Sequence, residues 1–176
     1  MAATTSRRCI DPALSTNAVL TALAAETAFA LNLPISAGEL RKSHKLTFGA
    51  TVKNIAANST DTFRLRLYLG TAADATGILL ADTGAVDGTA DDVMGVSGWG
   101  QVRTYGAASA GILTGIAIGV PKTAGTGVFT TFGAVEAQLD FTAAQYLTAT
   151  ITHSANSAGN QSRLEALWLE IAPMAH

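Results

Sequence analysis

The chain has little that would staple, charge or anchor it. Its 176 residues include one cysteine, Cys9, which excludes an internal disulfide and any zinc framework built on paired cysteines. Charged residues make up only 14%, with 11 Lys and Arg against 13 Asp and Glu, a net charge of −2. That balance gives no basic footprint for nucleic acid. Gly, Thr and Asp break every apolar run before the ~18 residues a membrane-spanning helix needs, so no such helix is expected. The N-terminal MAATTSRRCIDPALS carries Arg7 and Arg8 but only a short sequel interrupted by Asp11, unlike a secretory signal. Lys and Glu are scarce while Ala, Thr and Gly abound, which opposes long exposed helices and suits strands joined by tight turns.

What the chain does contain is alternation. From Thr27 to Gly70 three runs place apolar residues at every second position: Phe29/Leu31/Leu33, Leu46/Phe48/Ala50/Val52 and Phe63/Leu65/Leu67/Leu69. A half-buried strand requires that period. Pro34 and Gly38 mark the turn between the first two runs, and the polar stretch 54–61 marks the second. Further strands are expected at Ile78–Ala81, from Trp99 to Tyr105, at Gly111–Val120 and Val128–Val135, at Gln145–Thr152 and at Arg163–Ile171. Asn17–Glu26 fits a short helix or a strand, with the extended form preferred. Asp82–Gly95 reads as one long loop, and 121–127 as a turn.

Eight to ten short strands at even spacing predict an all-β fold, an antiparallel β-sandwich with jelly-roll topology preferred. Residues 1–16 lack periodicity and hold Pro12, so they are expected to form an N-terminal arm, disordered or docked on a partner. Residues 17–176 are expected to form the single sandwich domain. The last strand is apolar on both faces, Leu164/Ala166/Trp168 against Leu167/Leu169/Ile171, which suggests a second face covered by a neighbouring subunit or an overlying segment.

Candidate chemistry is sparse. Asp82, Asp87, Asp91 and Asp92, with Asp74 nearby, supply oxygens of the kind Ca²⁺ takes. Their spacing misses the EF-hand pattern, since Gly84 and Val86 stand where ligands should, and a solvated turn is the preferred reading. Gly95-Val96-Ser97-Gly98-Trp99 approaches a nucleophile elbow but has Trp99 where the final Gly belongs. His44, His153 and His176 read as turn, loop and terminus, with no local signature of a triad. Arg64, Arg66 and Tyr68 form a row that suits a sugar or phosphate, although a solvated or inter-subunit sheet face is the commoner use. Trp99, Tyr105 and Trp168 are candidates for stacking on a sugar, with packing preferred for each. Asn58-Ser59-Thr60 and Asn160-Gln161-Ser162 match the glycosylation sequon by chance. No catalytic, cofactor-binding or metal-binding residue is assigned, and no enzyme activity is expected.

The run Glu26-Thr27-Ala28-Phe29 followed by Leu33-Pro34-Ile35-Ser36-Ala37-Gly38-Glu39-Leu40 resembles a "T-A-E-T-x-F … I-P-A-G-x-L" pattern of small jelly-roll or β-sandwich virion proteins of tailed bacteriophages. Here Pro34 precedes Ile35 instead of following it. The alternating strand, the Asn-rich loop and Phe63-Arg-Leu-Arg-Leu-Tyr-Leu69-Gly70 continue the similarity, which spans roughly residues 18 to 70. The resemblance implies a non-enzymatic virion component, assembled in the host cytoplasm, commonly a homotrimer, and seated on a capsid or tail by loops or the arm. The expected function is a capsid decoration (cement) protein bound to the major capsid protein or another virion protein, without nucleic acid or membrane partners. The alternative is a head-fibre or tail appendage that binds a host surface glycan.

Overall fold

A computed structural model describes residues 5–10, 19–58, 60–106, 110–114, 118–120 and 135–173. These residues hold thirteen strands and no helix. The strands are β1 (Ser6–Ile10), β2 (Val19–Thr21), β3 (Thr27–Ile35), β4 (His44–Ala56), β5 (Thr62–Gly70), β6 (Ile78–Asp82) and β7 (Val86–Asp87). They continue with β8 (Val93–Val102), β9 (Ala110–Thr114), β10 (Ile118–Val120), β11 (Val135–Leu139), β12 (Gln145–His153) and β13 (Gln161–Pro173).

All pairings are antiparallel and build two sheets. In the first sheet the order is β1-β13-β4-β8-β9-β11, with β2 also on β13 and β10 also on β8. In the second it is β3-β12-β5-β6, with β7 on β5. β1 and β13 thus lie side by side, and β3, β4 and β5 alternate between the two sheets. This is the jelly-roll order, extended beyond β8 by β9–β11. The all-β sandwich expected from the sequence is the fold observed.

The period-two runs face each other across the interior. Leu46, Phe48, Ala50 and Val52 on β4 and Phe63, Leu65, Leu67 and Leu69 on β5 are fully buried, joined by Leu147, Ala149 and Ile151 on β12. Each large apolar side chain so buried contributes about 1.5–3 kcal/mol. Pro34 sits on β3, an edge strand of the second sheet, where its missing N–H costs no central ladder bond.

Four expectations need correction. Part of the expected arm, Ser6–Ile10, lies on its own chain's sheet as β1, in register with β13 from Ser6↔Ile171 to Ile10↔Leu167. Arg8 anchors it by donating to both carboxylate oxygens of Glu39 (2.6 and 2.7 Å) and to the Pro34 carbonyl (2.6 Å). Residues 1–4 and 11–16 of that segment lie outside the described residues. The long loop from Asp82 contains β7, and β8 starts at Val93 rather than at Trp99. His153 ends β12 instead of lying in a loop. Finally, the two-faced apolar pattern of β13 is a phase change. A register shift between Leu164 and Ala166 turns Leu164 on one side of it and Leu167, Leu169 and Ile171 on the other to the same inner face. A β-bulge has this effect because it adds one residue to one strand only. Of the extended segment expected at Asn17–Glu26, Val19–Thr21 is a strand. The strand expected at Val128–Val135, the turn at 121–127 and His176 fall outside the described residues, save Val135, which opens β11.

Candidate functional site

The inward faces of β4, β12 and β13 carry one polar cluster where the two sheets meet. Asn54, Ser162 and His153 are each fully buried. The Leu23 N–H donates to His153 Nδ1 (3.3 Å), which leaves the ring proton on Nε2 to donate to Ser162 Oγ (3.0 Å). The Ser162 hydroxyl then donates to Asn54 Oδ1 (3.2 Å). The His153 N–H also donates to the Leu23 carbonyl (2.7 Å), and the Phe63 ring meets the imidazole edge-on at 4.8 Å. Burial pushes the imidazole pKa below its ordinary value, against a smaller upward pull from Asp61. The polarity is the reverse of a nucleophile and base: His153 gives a proton to Ser162 and takes none from it. The cluster rivets one sheet to the other.

The outer face of the second sheet carries the Arg64, Arg66 and Tyr68 row. Asp82, 2% exposed, accepts from Arg64 Nε (2.8 Å), from Arg66 Nε (3.0 Å) and from the Gly84 N–H (2.7 Å). Burial raises the Asp82 pKa, but the bonds from Arg64, Gly84 and Arg66 outweigh it and hold the carboxyl below the usual range. Arg66 also pairs with Glu26, which accepts the Thr150 hydroxyl (2.6 Å). Two guanidiniums thus face two carboxylates, and the row that suited a phosphate is neutralised from within the chain. Glu26 was not legible as a partner, because it reaches Arg66 across 40 positions of sequence.

The aspartates between residues 74 and 92 are dispersed. Asp74 closes a bend on the Thr76 N–H (2.8 Å), and Asp82 serves the arginines. Asp91 pairs with Lys53 Nζ (2.7 Å), and Asp92 accepts from the Thr89 N–H (2.7 Å). Among the described residues no three His, Cys, Asp or Glu side chains gather as a metal site. Of the sequon residues, Asn160 is buried and donates to Asp61 (2.7 Å), while Asn58 donates to Ser157 Oγ (2.8 Å).

The outer face of the first sheet is different in kind. The register lines up Cys9, Trp168, Gly49 and Ser97 across β1, β13, β4 and β8, and beside them Glu170, Thr47 and Trp99. Met94, Val96 and Val102 point into the core, so Val93, Ser97 and Trp99 point out. Trp168 lies flat on Gly49, where a Cβ would collide with the indole ring. Trp99 stands 41% exposed next to Thr47. Ser97 lies on this outer face, whereas His153 is buried between the sheets, so the structure does not bring these two together. His44 opens β4, and its Nδ1 accepts from the Arg41 N–H (3.4 Å). Past the end of β8, Tyr105, Arg41 and Lys42 line an open depression of about 460 Å³. The result is a broad, indole-bearing surface, with a depression of about 220 Å³ beside Cys9, Trp168 and Glu170.

No family model matches the chain, and no curated protein matches it in sequence. Among solved structures it is similar to a peanut lectin with a nine-residue peptide, at 10% identity and a TM-score of 0.43, covering 98% of this chain and all of that one. It is also similar to the CBM2 module of the evolved Dit of Lactobacillus casei BL23 phage J-1, at 11% identity and a TM-score of 0.39 over the whole of both chains. A third similarity is to infectious bursal disease virus, Gx strain, at 10% identity and a TM-score of 0.29, covering 95% of this chain and 42% of that one. The jelly-roll assignment stands on the chain's own strand order.

Proposed function

We propose that the chain is a non-enzymatic structural subunit of a tailed-phage virion, a capsid decoration protein that seats on the major capsid protein and reinforces the shell. The observation that carries this reading is the outer face of the first sheet. It offers exposed Trp99, half-buried Trp168 and a floor of Gly, Ser and Thr, a shape suited to packing against another flat protein surface. The polar clusters elsewhere support it, because His153, Ser162, Arg64 and Arg66 are already engaged in holding strands together. The similarity of residues 18 to 70 to small virion sandwiches points the same way. Self-association belongs to the reading, with a trimer as the form the resemblance implies, and the virion as the location. Mixing the purified chain with undecorated heads and sedimenting them tests it. Saturable binding at a fixed number of copies per capsid subunit is expected; a chain left wholly in the supernatant would overturn the reading.

One observation favours a second reading, a head-fibre or tail appendage that binds a host glycan. Exposed Trp99, with Thr47 and Gln101 on the same face, has the aromatic plane and flanking hydrogen-bonding groups that a sugar ring stacks on. A glycan array distinguishes the two: retention of a sugar, lost on Trp99→Ala, supports the appendage, and an empty array removes it.

A further inference from the structure

Arg7, Arg8, Lys53, Arg64, Arg66 and Arg163 are each paired with a carboxylate. Arg41, Lys42 and Lys45 have no carboxylate partner among the described residues, and all three are exposed where β3 turns into β4. Glu39, the acidic residue beside them in sequence, is taken by Arg8 and by the Ser36 N–H (3.0 Å). Hydrogen bonds pin the turn itself. The Ser43 N–H donates to the Val102 carbonyl (2.9 Å), the His44 N–H to the Arg41 carbonyl (3.0 Å) and the Arg41 N–H to His44 Nδ1 (3.4 Å). They hold Ser43 at a φ of +68°, in the left-handed region that a residue with a Cβ seldom enters. Leu40, just before the turn, is buried in the core. Arg41 Nε donates to the Gly38 carbonyl (3.1 Å), and the Tyr105 hydroxyl oxygen lies over Gly38, 3.4 Å from where a Cβ would stand. Arg41, Lys42 and Tyr105 are thereby set around the open depression past the end of β8.

We propose that this depression takes a carboxylate of an acidic segment on a partner protein. With Nε spent on Gly38, the two Nη groups of Arg41 form the edge left for a planar, two-oxygen acceptor, which a guanidinium fork meets bidentately. Lys42 adds a point charge, and Tyr105 an aromatic wall with a hydroxyl. The backbone disfavours phosphate or sulfate. Such tetrahedral anions are cradled by converging free N–H groups. Here the N–H groups of Arg41, Ser43 and His44 are already donated, as are those of Gly38 to the Phe141 carbonyl (3.1 Å) and Glu39 to the Ser36 carbonyl (3.0 Å). The openness of the depression favours a macromolecule over a free anion. Its three side chains are exposed, and an exposed ion pair in water is weak. A protein surface closing over them excludes water and strengthens the same contact. The attraction is local, because the chain as a whole carries a net charge of −2. The inference rests on the reading of the chain as a subunit that docks on another protein, and names the chemistry of one contact in that docking.

Fluorescence anisotropy with a labelled hexaglutamate peptide at low salt tests it. The unaltered chain is expected to bind saturably and to lose affinity as salt rises. Arg41→Gln with Lys42→Gln is expected to weaken binding at least about tenfold. Arg41→Lys, which keeps the charge but not the fork, is expected to weaken it about threefold. Lys53→Gln with Arg163→Gln removes the same charge from cations that already have partners, and is expected to stay within about twofold of the parent. Far-UV circular dichroism confirms that each variant is folded. Should Arg41→Gln disturb the turn, Lys42→Gln alone, at a side chain with no hydrogen bond among the described residues, is expected to weaken binding about threefold. No binding by the unaltered chain, equal weakening by the two double variants, or a sulfated oligosaccharide or DNA oligonucleotide bound more tightly than hexaglutamate would overturn the proposal. Undecorated heads separate it from the reading beneath it. Heads bound equally by the unaltered chain and by the Arg41 and Lys42 double variant overturn the site and leave decoration standing. A chain that binds hexaglutamate through Arg41 and Lys42 yet ignores heads does the reverse.

Discussion

Replacing Ser162 by Ala should destabilise the sandwich far more than the loss of one exposed hydroxyl would. The Ser162 oxygen is the acceptor for His153 Nε2 at 3.0 Å and the donor to Asn54 Oδ1 at 3.2 Å, and all three residues are fully buried. Removing it leaves an N–H and a carbonyl oxygen without protein partners at fully buried positions. It does so beside Asn54 Nδ2, which already lacks a partner among the described residues. Each buried group so orphaned costs about 1–3 kcal/mol. Some relaxation is expected, so the total is set at about 2–4 kcal/mol. For a domain of this length each kcal/mol moves the midpoint by about 2–4 °C, which gives a fall of about 4 to 16 °C. Differential scanning calorimetry at fixed protein concentration reads it directly. The comparison is Ser97→Ala on the outer face of β8, which should stay within about 2 °C of the parent. If the two variants melt together, the three side chains do not carry the bonds assigned to them.

Three further outcomes follow from the same contacts. His153 is held neutral by burial and by the Leu23 N–H on Nδ1, so its folded pKa lies below the unfolded value of about 6.5. The unfolded chain therefore binds the proton first. Stability should be complete above about pH 6.5 and decline as pH falls through and below that value; urea titrations across pH 8 to about 5 would show the slope, and His153→Phe should remove it. Asp82 has the opposite history, a carboxyl held down by Arg64, Gly84 and Arg66 against the effect of burial. Its contribution is present above the unfolded value of about 3.9 and lost as pH falls towards the lower folded value. Asp82→Asn should cost about 1–3 kcal/mol at neutral pH, discounted because the Arg64 side chain is 41% exposed, and should flatten the acid limb of the melting curve. Gly49→Ala should push the Trp168 indole off the sheet, seen as a red shift in tryptophan emission, with a cost of about 1–2 kcal/mol.

Much of the fold is legible where one face of a strand meets the core. Leu46, Phe48, Ala50 and Val52 announce β4 because every second side chain must be apolar, and the same holds for β5. The period fails where the cause lies in a distant partner. The bulge in β13 is fixed by its pairing with β4, more than a hundred positions earlier, so Leu164 and Leu167 look like opposite faces in the sequence. β1 has no alternation of its own; β13 and the Arg8–Glu39 pair hold it in place. In β8 the glycines at 95, 98 and 100 weaken the signal that Met94, Val96 and Val102 carry. Of the candidate residues, Arg64 and Arg66 were visible as a row, but their neutralisation by Asp82 and Glu26 depends on packing across strands. The Asn54, Ser162 and His153 cluster left no local trace, since its members are polar residues at ordinary strand positions. The outward placing of Val93 and Trp99 becomes visible only once the phase of β8 is known.

The proposed place of assembly for this sandwich is a phage head. Quantifying the chain against the capsid subunit in purified virions tests that most directly. Copies present in a fixed ratio comparable to the capsid subunit, retained when tails are removed, are the predicted result. Heads that contain none of the chain would contradict it.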